Sequence, residues 1–195
     1  MCGRYWVENV HLPPEMQHML AQAEAVYQRK QPDFSLKQGE IFPGDNAAVL
    51  SRSRTGSQRA FVMRWGFRME KKLVFNARAE TAAKKPMFCD SMMQRRCIVP
   101  ASGYFEWDHR EKKPPKYLFT PESGSMMFMA GLYRPEEDAH AFTILTRDAV
   151  EGLKDFHPRM PVILPAEEAM LWLDHTLPAD RVLSLATANL VWNIA

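Results

Sequence analysis

Arg95-Arg96-Cys97-Ile98-Val99-Pro100-Ala101-Ser102-Gly103-Tyr104-Phe105-Glu106-Trp107 is the stretch whose reading decides the fold. Short apolar runs rich in β-branched and aromatic residues read as strands, so Arg96–Ala101 and Gly103–Trp107 are predicted as two strands around an irregularity at Pro100. Downstream, a charged loop over 108–115 precedes three further strands at 116–120, 126–133 and 141–146, all expected to be antiparallel. Upstream, 47–51 and 59–63 form a predicted hairpin across the polar linker 52–57. Short extended pieces are predicted at 2–7, 64–67, 73–78 and 161–164.

Helices are few and separate. Pro13-Pro14-Glu15 opens one, because proline is tolerated in a first helical turn. Met16, Met19, Leu20, Ala23, Val26 and Tyr27 follow helical spacing and predict its buried face. Two more helices are predicted at 80–83 and 86–94, and another runs from Pro165-Ala166-Glu167-Glu168 to about Leu173. The tail after Pro178 is assigned to no element. Strands dominate without βαβ alternation, which predicts an α+β fold: a single domain over 1–195, with a strongly twisted, mostly antiparallel, barrel-like sheet and peripheral helices.

A chain of 195 residues can bury a real core in one domain. It contains neither an apolar run long enough to cross a bilayer nor the start of a signal peptide. Its three cysteines, Cys2, Cys89 and Cys97, make no C-x-x-C pair and no disulfide framework. A reducing, cytoplasmic location is therefore expected, with no membrane partner. Cysteine and histidine spacing predicts no metal site, and no glycine-rich phosphate loop or nucleophile elbow predicts a cofactor. The net charge of +2 hides an asymmetry. Residues 52–116 hold 16 Lys and Arg against 6 Asp and Glu, whereas the remainder hold 9 against 17. A basic middle segment suits a polyanion, and equally a solvated surface with no partner.

Five stretches can carry chemistry. Cys2 becomes the N-terminus if Met1 is removed, and then offers an α-amine and a thiol on adjacent carbons. With ordinary pKa values of about 8 and about 8.5, both would be reactive near neutral pH. The bland alternative is an early residue of a first strand. Asn76-Ala77-Arg78-Ala79-Glu80, if extended, puts Asn76, Arg78 and Glu80 on one face, suited to an oxyanion or to a local salt bridge. In Gly103–Trp107, alternation puts Phe105 and Trp107 on one face and Tyr104 and Glu106 on the other. Glu106 is then either a partly desolvated general acid–base or a carboxylate facing water. In His157-Pro158-Arg159-Met160-Pro161, two prolines keep His157 and Arg159 extended on one side, with His157 a proton shuttle or a structural residue. Trp65, in Arg64-Trp65-Gly66, stacks on an unpaired base or packs in the core.

In this order these stretches resemble the SRAP family, the SOS-response-associated peptidase-like proteins. The resemblance rests on Met1-Cys2-Gly3-Arg4, Arg64-Trp65-Gly66, 76–81, 95–107 and 157–161, and spans residue 1 to about 173. It implies a sensor of abasic sites in single-stranded DNA that shields the lesion by a covalent thiazolidine with Cys2 after Met1 removal. It also implies peptidase-like self-processing, with a lyase step left open, and needs no cofactor. Carried over by residue, Cys2 is the nucleophile, Asn76 positions the amine or the sugar, Glu106 is the acid–base, and His157 assists at the sugar oxygen. Arg4, Arg78 and Arg159 would hold flanking phosphates, Trp65 would stack or wedge at the lesion, and Pro43 and Thr146 would lie at the DNA site. A monomer is expected. Two other functions stand beside this one: a cysteine peptidase acting on itself or on other proteins, and a non-covalent single-stranded DNA-binding module. Compared with the family pattern, Arg147-Asp148 replaces small residues after Thr146, and the chain stops at Ala195, short of a C-terminal strand found in longer members.

Overall fold

The computed structural model describes residues 2–8, 12–53 and 55–195; Met1 of the N-terminal motif and Arg54 of the hairpin linker lie outside them. In chain order the elements are β1 (Arg4–Val7), α1 (Pro14–Gln28), β2 (Gly39–Ile41), β3 (Asn46–Arg52), β4 (Gln58–Trp65), β5 (Phe67–Met69), β6 (Lys72–Val74) and β7 (Asn76–Arg78). Then come α2 (Ala79–Ala82), α3 (Cys89–Gln94), β8 (Arg96–Ala101), β9 (Gly103–Trp107), β10 (Lys116–Pro121), β11 (Met127–Pro135) and β12 (His140–Asp148). The chain ends with β13 (Arg159–Pro161), β14 (Ile163–Leu164), α4 (Ala166–Trp172), α5 (Ala179–Leu183) and β15 (Leu190–Ile194). This is the α+β class. No described helix is long and apolar enough to cross a membrane.

Two sheets carry the molecule. In the larger, β12, β4, β3, β8 and β11 pair in turn, and β11 pairs back onto β12, so these five strands close a ring. The second sheet runs β15-β10-β9-β1-β2. Pairing is mostly antiparallel. The exceptions are β12 with β4 and β12 with β7, both parallel.

All six residues of β8 are buried because both of its faces are covered. Ile98 faces a cluster with Leu50, Leu132 and Trp172. Cys97, Val99 and Ala101 face a second cluster with Cys2, Tyr5, Trp65 and Tyr104. β8 runs straight through Pro100, which pairs with Phe128. The break falls instead at Ser102, whose N–H donates to Trp6 O (2.7 Å) and whose Oγ accepts the Glu8 N–H (2.9 Å). That bend hands the chain from the ring to the second sheet. Gly103 follows because a Cβ there would meet Phe119 O at 2.5 Å.

Four expectations change. Val26 does not join the buried face of α1; it is 58 % exposed. Glu80 lies in the short helix α2, so it does not continue the extended run of Asn76 and Arg78. β2 was not foreseen, since it is three residues long and exists through its pairing with β1. The tail after Pro178, assigned to no element, supplies a strand: β15 pairs with β10 over five positions, from Tyr117↔Ile194 to Pro121↔Leu190.

Candidate active site

The register of β1 on β9 builds the site. Arg4 lies opposite Phe105 and Tyr5 opposite Tyr104, so the residues just before Arg4 run alongside Glu106 at the end of β9. Cys2 is 1 % exposed, and its Sγ lies 3.5 Å from Arg4 O. The Asn76 side chain arrives from β7, which β12 holds by parallel pairing (Ile144↔Asn76). Its Nδ2 donates to Cys2 O at 2.8 Å and fixes the main chain of that residue. Asn76 Oδ1 is buried with no hydrogen-bond partner among the described residues, leaving an acceptor available beside Cys2.

Burial pushes the Cys2 thiol well above its ordinary pKa, and the nearby Glu106 charge adds to the shift. In the unprocessed chain, then, burial and the Glu106 charge both favour the protonated thiol over the thiolate that is expected once Met1 is removed. Glu106 is 5 % exposed. Tyr104, on the same face of β9, is buried as well, and burial raises its hydroxyl pKa, with Cys2 and Glu106 contributing.

His157 is half-buried. Its Nδ1 accepts the Arg159 backbone N–H at 2.9 Å, the shorter of its two contacts with that residue, which places the ring proton on Nε2. Burial lowers the His157 pKa below 6.5, and the Glu106 charge opposes the shift. The ring is thus held as a neutral imidazole with one N–H to donate.

The residues expected at DNA divide sharply. Arg4 keeps 38 % of its side chain exposed, between the rings of Phe42 (4.6 Å) and Trp107 (5.0 Å), with Glu40 at 3.4 Å. Lys116 joins the same surface over Phe105 at 3.9 Å and also pairs with Glu40. Pro43 is half-buried in the adjoining turn. Arg78 is exposed two residues beyond Asn76, hence on the same side of the strand.

Three others are not open to a ligand. Trp65 is 0 % exposed, donates Nε1–H to Phe75 O at 2.9 Å and packs against Tyr5, Phe75 and Phe142. The stacking role expected of it is corrected to a core role, because the parallel pairing Phe142↔Trp65 closes β12 over it. Thr146 is likewise 0 % exposed, with Oγ1 donating to Ala77 O at 3.4 Å.

Arg159 is expected to hold phosphate, but its guanidinium is already engaged. It makes a bidentate pair with Glu80 (2.8 and 2.9 Å), bonds Asp148 Oδ1 and donates to Thr146 O at 2.6 Å. Two carboxylates neutralise it, and only 10 % of its side chain is exposed. It clamps the segment carrying His157 to α2 and β12. The sequence placed Glu80 on one face with Asn76 and Arg78, for an oxyanion or a local salt bridge, without naming Arg159 as its partner, and Asp148 had no role at the site. The departure Arg147-Asp148 was the one visible sign of Asp148.

Among the described residues no cluster of three or more His, Cys, Asp or Glu side chains forms that could hold a metal ion. What the pocket offers is a proton-bearing thiol on the second residue, an amide on its carbonyl, a buried carboxylate and a neutral imidazole. Groups of these kinds are the ones on which thiol chemistry coupled to proton transfer draws.

That site and its α+β frame define the class. A family model described as SOS response associated peptidase (SRAP) matches residues 1–191, and the chain belongs to this family. The chain is 31 % identical over 194 residues to the abasic site processing protein YoqW of Bacillus subtilis, covering 89 % of this chain and 80 % of that one. It is 32 % identical over 159 residues to the abasic site processing protein YedK of Escherichia coli, covering 77 % and 71 %. A solved structure of a protein from Bacteroides thetaiotaomicron superposes with a TM-score of 0.78 at 25 % identity, covering 99 % of this chain and 91 % of that one.

Proposed function

We propose that this protein processes abasic sites in DNA, and that it does so by capturing the ring-opened sugar covalently on Cys2 once Met1 has been removed. The observation that carries the reading is the Asn76 amide on the Cys2 carbonyl at 2.8 Å in a pocket where the Glu106 charge acts on the Cys2 thiol. Processing hydrolyses the Met1–Cys2 peptide bond, consuming one water and freeing an α-amine.

Ring closure sets the order of events, since the sulfur can complete a five-membered ring only on a carbon that the amine already holds. The neutral amine, ordinarily with a pKa of about 8, attacks the sugar aldehyde first. The resulting carbinolamine loses water to give a protonated imine, with Glu106 accepting and returning protons. The thiol then adds to the imine carbon, and its proton leaves through Glu106 to solvent. A five-membered thiazolidine results, with one water released overall. Asn76 holds the residue so that amine and sulfur converge on one carbon. His157 donates Nε2–H to the sugar oxygen released on ring opening. Single-stranded DNA is the fitting substrate, because an unpaired abasic sugar is reached without unstacking a duplex.

Intact mass spectrometry tests the reading directly. The purified chain should lack Met1 and gain the mass of one abasic oligonucleotide less one water. The adduct should survive denaturant and be absent in Cys2→Ala. Equal adduct with Cys2→Ser, or with Met1 retained, would sink the thiazolidine. Equal affinity for intact and abasic strands with no adduct would instead support the non-covalent module.

A further inference from the structure

We propose that the outer edge of the second sheet, carrying Trp192 and Ile194 beside Tyr117, is a stacking platform for the bases that flank the abasic nucleotide. The inference rests on the proposed function and names the part of the substrate that gives it affinity.

Strand register makes the case. Glu106 lies opposite Tyr117 and Tyr117 opposite Ile194, so these three share one face and one row. Beside them runs a second row on the same face, Tyr5, Tyr104, Phe119 and Trp192. The second row is buried at its inner end, with Tyr5, Tyr104 and Phe119 all at 3 % exposure or less, and opens at Trp192, which is 40 % exposed. Ile194, at the end of the first row, is 72 % exposed. Ile194 is two strand spacings from Glu106, about 10 Å. That is the span of about three stacked nucleotides at about 3.4 Å each.

Phe156 joins the platform to the site. Its ring touches Tyr117 (4.9 Å), Phe119 (5.1 Å) and Trp192 (5.7 Å), and the next residue is His157. Arg110 adds a guanidinium 5.7 Å from the Phe156 ring, though Asp108 and Asp155 pair with it. Of the exposed large apolar residues among those described, Trp192 is the only aromatic. The lesion makes such a surface useful. An abasic nucleotide has no base to stack, so stacking energy must come from its neighbours, and an open indole accepts any base.

The test uses single strands carrying a tetrahydrofuran abasic analogue, which cannot form the adduct, so binding is read apart from chemistry. One strand has ordinary bases beside the analogue; the other has further tetrahydrofuran spacers there, with the phosphates unchanged. Trp192→Ala should weaken binding of the base-flanked strand by about 5- to 100-fold and leave the spacer-flanked strand unchanged. Trp192→Phe should retain most of the affinity. Ile194→Glu, at a position too exposed to disturb the core, should weaken the base-flanked strand as well. Equal weakening of both strands by Trp192→Ala, or weakening of neither, overturns the platform. So does a concentration-dependent dimer that Ile194→Glu splits with DNA affinity unchanged, since the strand edge would then serve a second copy of this chain. If the wild type shows the base dependence but no adduct on an aldehydic strand, the covalent reading fails and the platform stands. The reverse pattern removes the platform alone.

Discussion

Cys2 and Cys97 sit in the same apolar cluster, at 1 % and 0 % exposure, and burial raises both thiols. By burial alone they are indistinguishable. They differ in what else reaches them. Cys97 lies mid-strand in β8, with burial alone behind its raised pKa. Cys2 lies just ahead of β1, where the Asn76 amide takes its carbonyl and the Glu106 charge reaches its sulfur. A buried thiol is common core material; an amide and a charge converging on one such residue is not.

The sharpest way to break this contrast is to remove each sulfur in turn. Cys2→Ala should abolish the denaturant-resistant adduct. Cys97→Ala should leave capture within about twofold of wild type and cost about 1 kcal/mol of stability through a small void. Adduct yield on a denaturing gel, read beside a urea melt, separates the two. Loss of capture in a well-folded Cys97→Ala would erase the distinction.

A second contrast lies between Trp65 and Arg78, both expected at DNA and now on opposite sides of the surface. Trp65→Ala empties a fully buried indole site and should cost about 3–5 kcal/mol in chemical denaturation. Arg78→Ala should leave stability within about 0.5 kcal/mol, weaken binding to all single strands, and reduce the slope of log affinity against log salt by about 1. A Trp65→Ala protein of wild-type stability would move Trp65 back to the interface.

Much of this was legible beforehand, and the exceptions share a cause. Arg96–Ala101 and Gly103–Trp107 form as predicted because their apolar runs are continuous and turn residues bound them. The split of Phe105 and Trp107 from Tyr104 and Glu106 also holds: Lys116 sits over the first pair of rings, while Tyr104 stacks on Phe119 on the other face. β2 and β15 were missed because each exists through a distant partner, β1 and β10, rather than through its own pattern. Trp65 was misplaced for the same reason. Its local sequence left base stacking and core packing both open and the family resemblance put it at DNA, but β12, far along the chain, covers it. In the candidate site, the residue types were visible and their partners were not. Nothing local to Arg159 announces Glu80, 79 positions away.

Arg159 supplies the third test. Arg159→Ala leaves Glu80 and Asp148 without their partner and Thr146 O without its donor, and should cost about 2–3 kcal/mol. Glu80→Gln keeps the shape and loses one charge on a half-exposed partner, so about 1 kcal/mol is expected. A residue that held phosphate instead would show the opposite order, with affinity falling and stability unmoved.

The smallest effect is carried by the histidines and concerns pH. Desolvation is the first cause lowering His157, which is half-buried, and the exposed His140 and His175 below 6.5, while their unfolded forms titrate near that value. Between the unfolded and folded pKa values the unfolded chain therefore binds more protons, and stability falls as pH drops from about 6.5. The carboxylates act lower. Glu80, Glu136, Asp138 and Asp174 are all held below their ordinary values of 4.5 or 3.8, so their stabilisation is lost only as pH falls below that range. A melting series should show a shallow first decline beginning near pH 6.5 and a steeper one below about 4.5, with Tm moving about 2–4 °C for each 1 kcal/mol lost. His140→Gln and His175→Gln together should remove only a small part of the first decline, since both side chains are exposed, and leave the second. They should also leave capture at pH 7.5 unchanged, since both lie outside the Cys2 pocket. His157→Gln should flatten the same decline and slow capture as well. One histidine would then report on both regions, through its burial and through the proton it keeps on Nε2.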